Sequence, residues 1–331
     1  MNARVTVVGG GALGMLFGGR LAASGTEVEL VVRRKEQAER LASEGLHLHE
    51  SSAGKENLPL QVRPSVRLMD GGRLPGEEGG ADQPPSQWVL LAVKQTAITP
   101  EFCEKLVGIV PPGAGVVCLQ NGIGHAEVLS EVLPRERILL SVTTEGALQR
   151  SDTAAVHTGG GTTWIGSLLE QGGVPEDEQK KLASLLLRAG FRAEVSNNIQ
   201  QRVWQKLLTN AAINPLTAIL KVTNGELPQL PGIAHLMKEL LSEGEKLAAL
   251  RGISLDADLW EQVLAVCRAT ASNRSSMLQD ILSGRRTEIG AINGGLLRAA
   301  AAEGIRLPAN ETVFALVRAL EEKGDADKRC P

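Results

Sequence analysis

The 331-residue sequence predicts an α/β domain at the N-terminus followed by an all-helical domain. As far as residue 195, short apolar strands alternate with helical segments, which is typical of a parallel sheet covered by helices. Beyond that point strand signals cease, and helical patterns run to about residue 322. We therefore expect an α/β domain over residues 1–195, a helical domain over 196–325 and a frayed polar tail over 326–331.

The composition argues against several classes of protein. Hydrophobic residues make up 43% of the chain, enough for sizeable cores, and aromatic residues only 2%, so the cores must consist of Leu, Val, Ile and Ala. The net charge of -3 argues against a protein that binds nucleic acid. No apolar run approaches the roughly 20 residues of a membrane span, and the N-terminus lacks the pattern of a signal peptide.

The cysteines indicate a reducing environment, and the histidines indicate no metal site. The four cysteines are scattered without a CxxC pair, and the five histidines show no metal-ligand spacing. We therefore expect a cytoplasmic protein with no disulfide framework and no metal site.

A glycine-rich motif follows the first predicted strand. Residues 4–8 (RVTVV) lead directly into GGGALG at 9–14, and a helix is predicted next. A GxGxxG motif between a strand and a helix is typical of the Rossmann-type dinucleotide site. Gly9 would permit the tight turn, Gly11 the approach of a pyrophosphate and Gly14 the close packing of helix on strand. The alternative is a glycine-rich turn with no ligand.

Basic residues follow the second predicted strand. An NAD-binding Rossmann domain usually has Asp or Glu at the end of this strand, but here residues 26–32 are followed by Arg33, Arg34 and Lys35. Guanidinium groups match the geometry of a phosphate, so this pattern favours the 2′-phosphate of NADP. The alternative is a solvated basic start of a helix.

Two later strands deliver polar residues at their carboxyl ends. The predicted strand 88–93 is followed by Lys94, and the predicted strand 115–119 by Asn121. Ligands of open parallel sheets bind beyond these ends, which makes both residues candidates for a site. The alternatives are a solvated lysine and an asparagine that caps a helix.

Three connecting segments of the first domain have distinct patterns. Residues 71–85 are rich in Gly, Pro and acidic residues, and we expect an exposed mobile loop that is dispensable for folding. A helix is predicted over residues 97–109. Residues 153–166 are predicted to form a hairpin that leads away from the nucleotide-binding sheet.

The predicted helix over residues 203–217 carries an unusual polar stripe. Lys206, Asn210 and Asn214 are four residues apart and therefore share one face, while most of the remaining residues are apolar. Buried Lys and Asn side chains need partners, so the stripe suggests a cleft that binds a polar molecule. The alternatives are a solvated edge or a helix that ends at Asn214-Pro215.

Together these motifs identify a family resemblance. The chain resembles the ketopantoate reductases (2-dehydropantoate 2-reductases), a family of NADPH-dependent enzymes. The segments that carry the resemblance run in the family's order along almost the whole chain. They are GGGALG (9–14), LQNGIG (119–124), KLLTNAAINPLTAI (206–219), NGEL (224–227), SSMLQD (275–280), TEI with ING (287–294) and GIRLPAN (304–310). The Gly/Pro-rich loop at 71–85 departs from the family pattern as extra length.

The resemblance implies a function and a set of site residues. It implies reduction of ketopantoate to pantoate in pantothenate and coenzyme A biosynthesis, with Lys206 as proton donor and Glu288 as the second catalytic residue. The implied substrate-binding residues are Asn121, Asn210, Asn214, Asn224 and Ser276. The implied cofactor-binding residues are Gly9, Gly10, Gly11, Ala12, Leu13, Gly14, Arg33, Lys94, Asn121 and Glu288. On its own, Glu288 would be interpreted as a surface partner of Arg285 or Arg286, and Ser276 as an ordinary helix-start serine.

The chemistry of these residues agrees with the implied roles. Negative charge develops on the oxygen of a ketone that accepts a hydride, and an ammonium group can stabilise that charge and then donate a proton. Two alternatives remain, which are a reductase of another 2-oxo acid and a non-catalytic NADPH-binding protein. The sequence leaves the oligomeric state open, with a homodimer as one option.

Overall fold

The computed structural model describes residues 3–51, 58–72 and 85–327. The chain divides into two compact units, which we call unit 1 (residues 1–120 and 125–199) and unit 2 (residues 121–124 and 200–331). Most of the predicted loop at 71–85 lies outside the described residues.

Unit 1 contains two sheets and five α-helices in its described part. The strands are β1 (Arg4–Val8), β2 (Glu27–Val32), β3 (Leu46–Glu50), β4 (Leu60–Val62), β5 (Ser65–Leu68), β6 (Trp88–Leu91), β7 (Gly115–Cys118), β8 (Ile138–Thr143), β9 (Gly146–Gln149), β10 (Ala154–Gly159), β11 (Thr162–Ser167) and β12 (Arg192–Val195). The helices are α1 (Ala12–Ala23), α2 (Lys35–Glu44), α3 (Pro100–Val107), α4 (His125–Leu129) and α5 (Glu176–Arg188).

The larger sheet confirms the predicted Rossmann-type α/β fold. Its eight strands run in the order β12-β11-β8-β7-β6-β1-β2-β5. Six neighbouring strands of this sheet, β5-β2-β1-β6-β7-β8, are parallel. Their order in space corresponds to the order 3-2-1-4-5-6 of dinucleotide-binding domains. Neighbouring β11 is antiparallel to β8. β6, β7 and β8 are buried along their whole length, as expected for strands covered on both faces.

A smaller sheet of order β4-β3-β10-β9 packs against α1. Leu46 and Leu48 of β3 are buried, whereas His47 and His49 lie on its other face and are only partly buried. The two histidines therefore share one face of the strand, opposite the leucines. A Cβ on Gly19 of α1 would come within 2.6 Å of Leu48, so this glycine allows the helix to approach the sheet closely.

The predicted hairpin over residues 153–166 is wrong. β10 pairs with β3 and β9 in the smaller sheet, whereas β11 pairs with β8 and β12 in the larger one. Gly160 and Gly161 connect Gly159, the last residue of β10, to β11, and a Cβ on Gly161 would lie 2.3 Å from the backbone of Thr144. The glycines therefore let the chain cross from one sheet to the other, a use of glycine that looks like a hairpin turn in the sequence.

The segment after β6 also differs from its prediction. The strand ends at Leu91 rather than residue 93, and a single 3-10 turn at Gln95–Ala97 precedes α3. α3 begins at Pro100 because Thr99 caps it by accepting a hydrogen bond from the Phe102 amide (3.2 Å) and proline favours the first turn.

Every regular element in the described part of unit 2 is helical. The helices are α6 (Ile199–Leu220, of which residue 199 belongs to unit 1), α7 (Ile233–Leu250), α8 (Leu259–Ala269), α9 (Ser276–Leu282), α10 (Asn293–Ala302) and α11 (Pro308–Asp327), with a 3-10 turn at Leu227–Gln229. α6 continues through Pro215 to Leu220, so the alternative that the helix ends at Asn214-Pro215 is wrong. Among the described helices, none is both long and apolar enough to span a membrane.

Candidate active site

The glycine-rich loop connects β1 to α1 as its motif predicts. Gly9 has a left-handed φ of +125°, and a Cβ there would lie 2.9 Å from the backbone of Ala92. A Cβ on Gly14 would lie 1.8 Å from the Gly9 carbonyl oxygen. A Cβ on Gly11, by contrast, would have no described atom within 4 Å. The loop is thus sterically tight at both ends and open at Gly11, where a pyrophosphate would approach the start of α1.

Two glutamine side chains support this loop, and the sequence motif does not indicate them. Gln37 of α2 donates to the Gly10 carbonyl (2.7 Å) and lies 3.1 Å from the Asp152 carbonyl. Gln149 of β9 donates to the same Gly10 oxygen (3.4 Å). Gln37 is also buried. Because Gln37 belongs to α2 and Gln149 to the smaller sheet, both elements hold the backbone of the loop in place.

The two arginines after β2 have different surroundings. Arg34 forms an ion pair with Asp152. Arg33 is exposed, and the structure gives it no ion pair with any residue it describes. Arg33 is therefore the guanidinium that is available to a ligand at the end of this strand. Ala12 and Leu13 form the first turn of α1, and Lys94 is an exposed residue just before the turn at 95–97.

The predicted polar stripe lies on α6 in unit 2. Lys206 and Asn210 are partly buried and Asn214 is buried, each one turn from the next. The side-chain amides of Asn210 and Asn214 make no hydrogen bond to any residue that the structure describes. Their donors and acceptors are therefore available to a polar ligand.

Lys206 and Glu288 act on one another electrostatically. Loss of hydration on burial lowers the pKa of Lys206 to about 8, and the Glu288 carboxylate opposes this shift by favouring the charged ammonium. The lysine is still partly exposed at the surface, so its surroundings remove much of its hydration without closing it off. Glu288 is buried, and its carboxylate accepts a hydrogen bond from the Asn121 amide at 2.9 Å.

The segment that carries Glu288 is held on both sides. Its neighbour Thr287 donates through both backbone amide and hydroxyl to buried Glu321 of α11 (2.7 Å each). On the other side, the Ile123 amide donates to the Ala291 carbonyl (3.3 Å), and a Cβ on Gly122 would lie 2.4 Å from that oxygen. The glycine next to Asn121 is therefore required for the close approach that lets Asn121 reach Glu288.

The remaining predicted residues, Asn224 and Ser276, lie around the other end of α6. Asn224 is buried and donates to the Thr270 hydroxyl (2.9 Å), while its Oδ1 has no partner within the described chain. Ser276 is exposed at the start of α9. The cap of this helix is Ser275, which accepts from the Leu278 amide (3.0 Å) and lies 2.7 Å from the Thr217 hydroxyl. Among the described residues, neither Asn224 nor Ser276 forms a hydrogen bond with Lys206 or Glu288.

The structure therefore brings together three of the predicted residues, Lys206, Glu288 and Asn121, with Asn210 and Asn214 next along the same helix face. An ammonium beside a carboxylate, flanked by free amides, can hold an anionic or hydroxylated molecule and supply a proton to it. Within the described part of the chain, no group of three His, Cys, Asp or Glu side chains could hold a metal ion.

Comparison with known proteins places the chain in a family. The family model for ketopantoate reductase PanE/ApbA matches residues 5–170, and the model for the C-terminal part of the same family matches residues 198–321. A 2-dehydropantoate 2-reductase of Archaeoglobus fulgidus is 35% identical over 319 residues, which is 96% of this chain and 98% of that protein.

Solved structures show the same similarity. A PanE/ApbA family ketopantoate reductase from Ralstonia eutropha JMP134 superimposes with a TM-score of 0.83 at 28% identity, covering 97% of this chain and 99% of the other. A D-mandelate dehydrogenase in ternary complex with NADH and anilino(oxo)acetate superimposes with a TM-score of 0.84 at 26% identity and the same coverage. The chain belongs to the ketopantoate reductase (PanE/ApbA) family of oxidoreductases.

Proposed function

We propose that the protein reduces the ketone of 2-dehydropantoate (ketopantoate) to pantoate with NADPH, a step of pantothenate and coenzyme A biosynthesis, and that Lys206 is the general acid. The observation that carries this proposal is the electrostatic interaction of Glu288 with Lys206, which lies on a face of α6 together with Asn210 and Asn214. Membership of the family supports the reaction type.

Lys206 has the properties that the proton transfer requires. When bound, the nicotinamide supplies a hydride to the ketone carbon. The ammonium of Lys206 stabilises the negative charge that grows on the ketone oxygen and then donates a proton to it. A pKa of about 8 suits this role, because the lysine is mostly protonated at neutral pH yet gives up its proton more readily than an ordinary lysine.

Glu288 and the amides complete the site in this proposal. Glu288 favours the protonated form of Lys206. The side-chain amide of Asn121 holds the Glu288 carboxylate in place by donating a hydrogen bond to it. Asn210 and Asn214 then orient the carboxylate and hydroxyl groups of the substrate with hydrogen bonds, and we include Asn224 and Ser276 as further substrate contacts.

The preference for NADPH rests on unit 1. The glycine-rich loop fits a dinucleotide, since a Cβ on Gly11, just before α1, would meet no described atom within 4 Å. Arg33 would hold the 2′-phosphate, and Lys94 would lie on the cofactor side. The D-mandelate dehydrogenase of similar fold has NADH in its complex, so cofactor choice is tested separately below.

A second candidate function is reduction of another 2-oxo acid on the same fold. The similarity to D-mandelate dehydrogenase favours it, because that protein superimposes as well as the ketopantoate reductase does. A non-catalytic NADPH-binding protein is a weaker candidate, since it would need the nucleotide site but no lysine proton donor. A panel of 2-oxo acids, with NADPH oxidation followed for each, separates the three.

The test of mechanism is Lys206→Ala. We expect turnover to fall by about 10²- to 10⁴-fold, the usual scale of general acid catalysis, with NADPH affinity unchanged because the glycine-rich loop belongs to the other unit. Lys246→Ala, an exposed lysine of α7, is the matched control and should retain turnover. Near-normal turnover of a folded Lys206→Ala protein would remove Lys206 from the mechanism.

We also propose a cytoplasmic location and a homodimer. Cys103, Cys118 and Cys267 are buried free thiols, which suits a reducing compartment. Light scattering of the purified protein would measure its oligomeric state.

A further inference from the structure

Pro215 leaves a gap in the hydrogen bonding of α6. In an α-helix the amide of residue 215 would donate to the carbonyl of residue 211, but proline has no N–H. The carbonyl of Ala211 therefore has no helical donor, although Ala211 is almost fully buried at 1% exposure. A buried carbonyl without a donor is costly, so another group is expected to supply one.

The side chain of Asn293 supplies this donor. Its Nδ2 lies 3.2 Å from the Ala211 oxygen and 2.9 Å from Oδ1 of Asn310, and the residue is fully buried. Asn293 is the first residue of α10, and it belongs to a different element from Pro215. The hydrogen bond that α6 lacks internally has become a link from α6 to α10.

The surrounding groups fix the direction of this link. Asn310 of α11 donates through its own Nδ2 to the Glu243 carboxylate (2.8 Å) and to the Leu240 carbonyl (3.3 Å), both of which can only accept. Its Oδ1 must therefore face Asn293, which in turn must present its Nδ2 to Ala211. Glu243 also accepts from the Ala309 and Asn310 amides in the first turn of α11 (2.8 and 3.0 Å). The row Glu243–Asn310–Asn293–Ala211 thus has one allowed hydrogen-bonding pattern.

The link joins the two segments that carry the candidate catalytic residues. Ala211 follows Lys206 by five residues on α6, and Asn293 follows Glu288 by five residues. Backbone hydrogen bonds fix the turn between Glu288 and Asn293, because the Ala291 and Ile292 backbone amides donate to the Glu288 carbonyl (2.9 and 3.0 Å). A displacement of Asn293 relative to Ala211 would therefore move Glu288 relative to Lys206.

We propose that Asn293 is a positioning residue, which uses the carbonyl freed by Pro215 to hold Glu288 in register with Lys206. The proposal rests on the function assigned to Lys206 and Glu288 above and adds to it a residue outside the site. Asn293 touches neither substrate nor cofactor in this scheme, and it acts through the two segments that it joins.

The experiment compares Asn293→Ala with the double variant Pro215→Ala/Asn293→Ala. Alanine at 215 restores the missing N–H, so the double variant satisfies the Ala211 carbonyl within the helix but lacks the link to α10. We expect thermal stability to fall in Asn293→Ala and to recover in part in the double variant, because the donor to Asn310 Oδ1 is lost in both. Turnover should fall by about 10- to 100-fold in both, since a small misplacement of reacting groups has effects of this size, while KM for NADPH stays unchanged. If Asn293→Ala does not fold, turnover and KM for NADPH are measured in the double variant and compared with the wild type.

A second readout follows the lysine itself. In protein labelled with ¹³C at the lysine Cε atoms, NMR titration gives the pKa of Lys206, with Lys206→Arg used to assign its signal. A larger separation from Glu288 weakens the interaction that raises this pKa, so it should be lower in both variants than in the wild type. Leu296→Ala is the matched control, because it truncates a fully buried side chain of the same helix without touching the polar row, and it should leave the pKa unchanged.

Three outcomes would overturn the proposal. These are wild-type turnover in Asn293→Ala, recovery of wild-type turnover in the double variant, or an equal change of the Lys206 pKa in Leu296→Ala. A wild-type protein with no turnover of ketopantoate would instead contradict the proposed function. The titration of Lys206 would still test Asn293 in that case, because it needs no substrate.

Discussion

Lys206 is subject to two opposing influences, and their signs predict a pH profile. Burial lowers its pKa to about 8, and Glu288 raises it. A general acid works in its protonated form, so turnover should be constant at lower pH and fall as the pH rises through about 8.

Substitution of Glu288 by glutamine should move this fall to lower pH. The Glu288→Gln variant keeps the size of the side chain but loses the charge that favours the protonated lysine, so the pKa of Lys206 decreases further. The measurement is kcat against pH for wild type, Glu288→Gln and the control Glu245→Gln, an exposed glutamate of α7. A fall that stays in place or moves to higher pH would show that Glu288 does not act on the titrating group.

Arg33 allows a second prediction about a single residue. A hydrogen bond to a charged group contributes about 1.5–3 kcal/mol, which corresponds to roughly a 10- to 150-fold preference for NADPH over NADH. Arg33→Ala should remove most of that preference and leave NADH use nearly unchanged. Arg34→Ala is the natural comparison, because the Arg34 guanidinium is already paired with Asp152, and its effect should be smaller. Equal use of both cofactors by the wild type would contradict the assignment of Arg33, and the ratio of kcat/KM values measures it.

Some contacts of single residues could not be predicted from the sequence. Lys206, Asn210 and Asn214 could be placed on one face because helical spacing is a local property. The bond from Asn121 to Glu288 joins residues 167 positions apart, and no periodicity indicates it. Pro215 does indicate that the Ala211 carbonyl lacks its helical donor, but the replacement donor, Asn293, lies 82 positions away and no local pattern indicates it.

The glycine-rich loop gives a prediction for a whole element. Gly11→Ala should fold normally, because Gly11 has a φ of -85° and a Cβ there meets no described atom, but it should lose cofactor affinity, since the methyl group occupies the space for the pyrophosphate. Gly14→Ala should lose both affinity and stability, because its Cβ would lie 1.8 Å from the Gly9 oxygen. Its Tm would fall by about 2–4 °C for each kcal/mol of strain. Calorimetry and NADPH titration of both variants measure the two effects, and equal losses of Tm would contradict this assignment.

The elements themselves were predictable to different degrees. The strands and helices around the nucleotide loop and α6 agree with the sequence pattern, because their apolar periodicity is strong. The connection between β10 and β11 was predicted wrongly, because local sequence does not show which sheet a strand joins. Three successive glycines permit either a hairpin turn or a crossing between sheets, and the choice depends on distant pairing partners.

At the scale of the whole molecule, the short segment 121–124 belongs to unit 2 although unit 1 surrounds it in the sequence. Gly122 has a left-handed φ of +84°, and its Cβ position collides with the Ala291 carbonyl. Gly122→Ala should therefore destabilise unit 2 by at least about 1–2 kcal/mol, the cost of this backbone conformation for a residue with a Cβ.

Hydrogen exchange checks this expectation. Amides around residues 286–296 should exchange faster in Gly122→Ala, while those of β1 and β7 keep their protection. Gly113→Ala is a suitable control, because Gly113 also has a left-handed φ (+81°) but no described atom lies near its Cβ position. An equal increase in exchange around residues 286–296 in both variants would indicate that the collision with Ala291 is unimportant.

The placement of residues 121–124 also limits how this protein can be recombined with its relatives. A chimera made with one junction, between the two family matches at 5–170 and 198–321, would take Asn121 from one parent and Glu288 from the other. The Asn121–Glu288 hydrogen bond and the fit of Gly122 against Ala291 would then depend on sequences that never evolved together. A chimera that respects the compact units needs three junctions, so the smallest exchangeable part of unit 2 is two separate stretches of the gene.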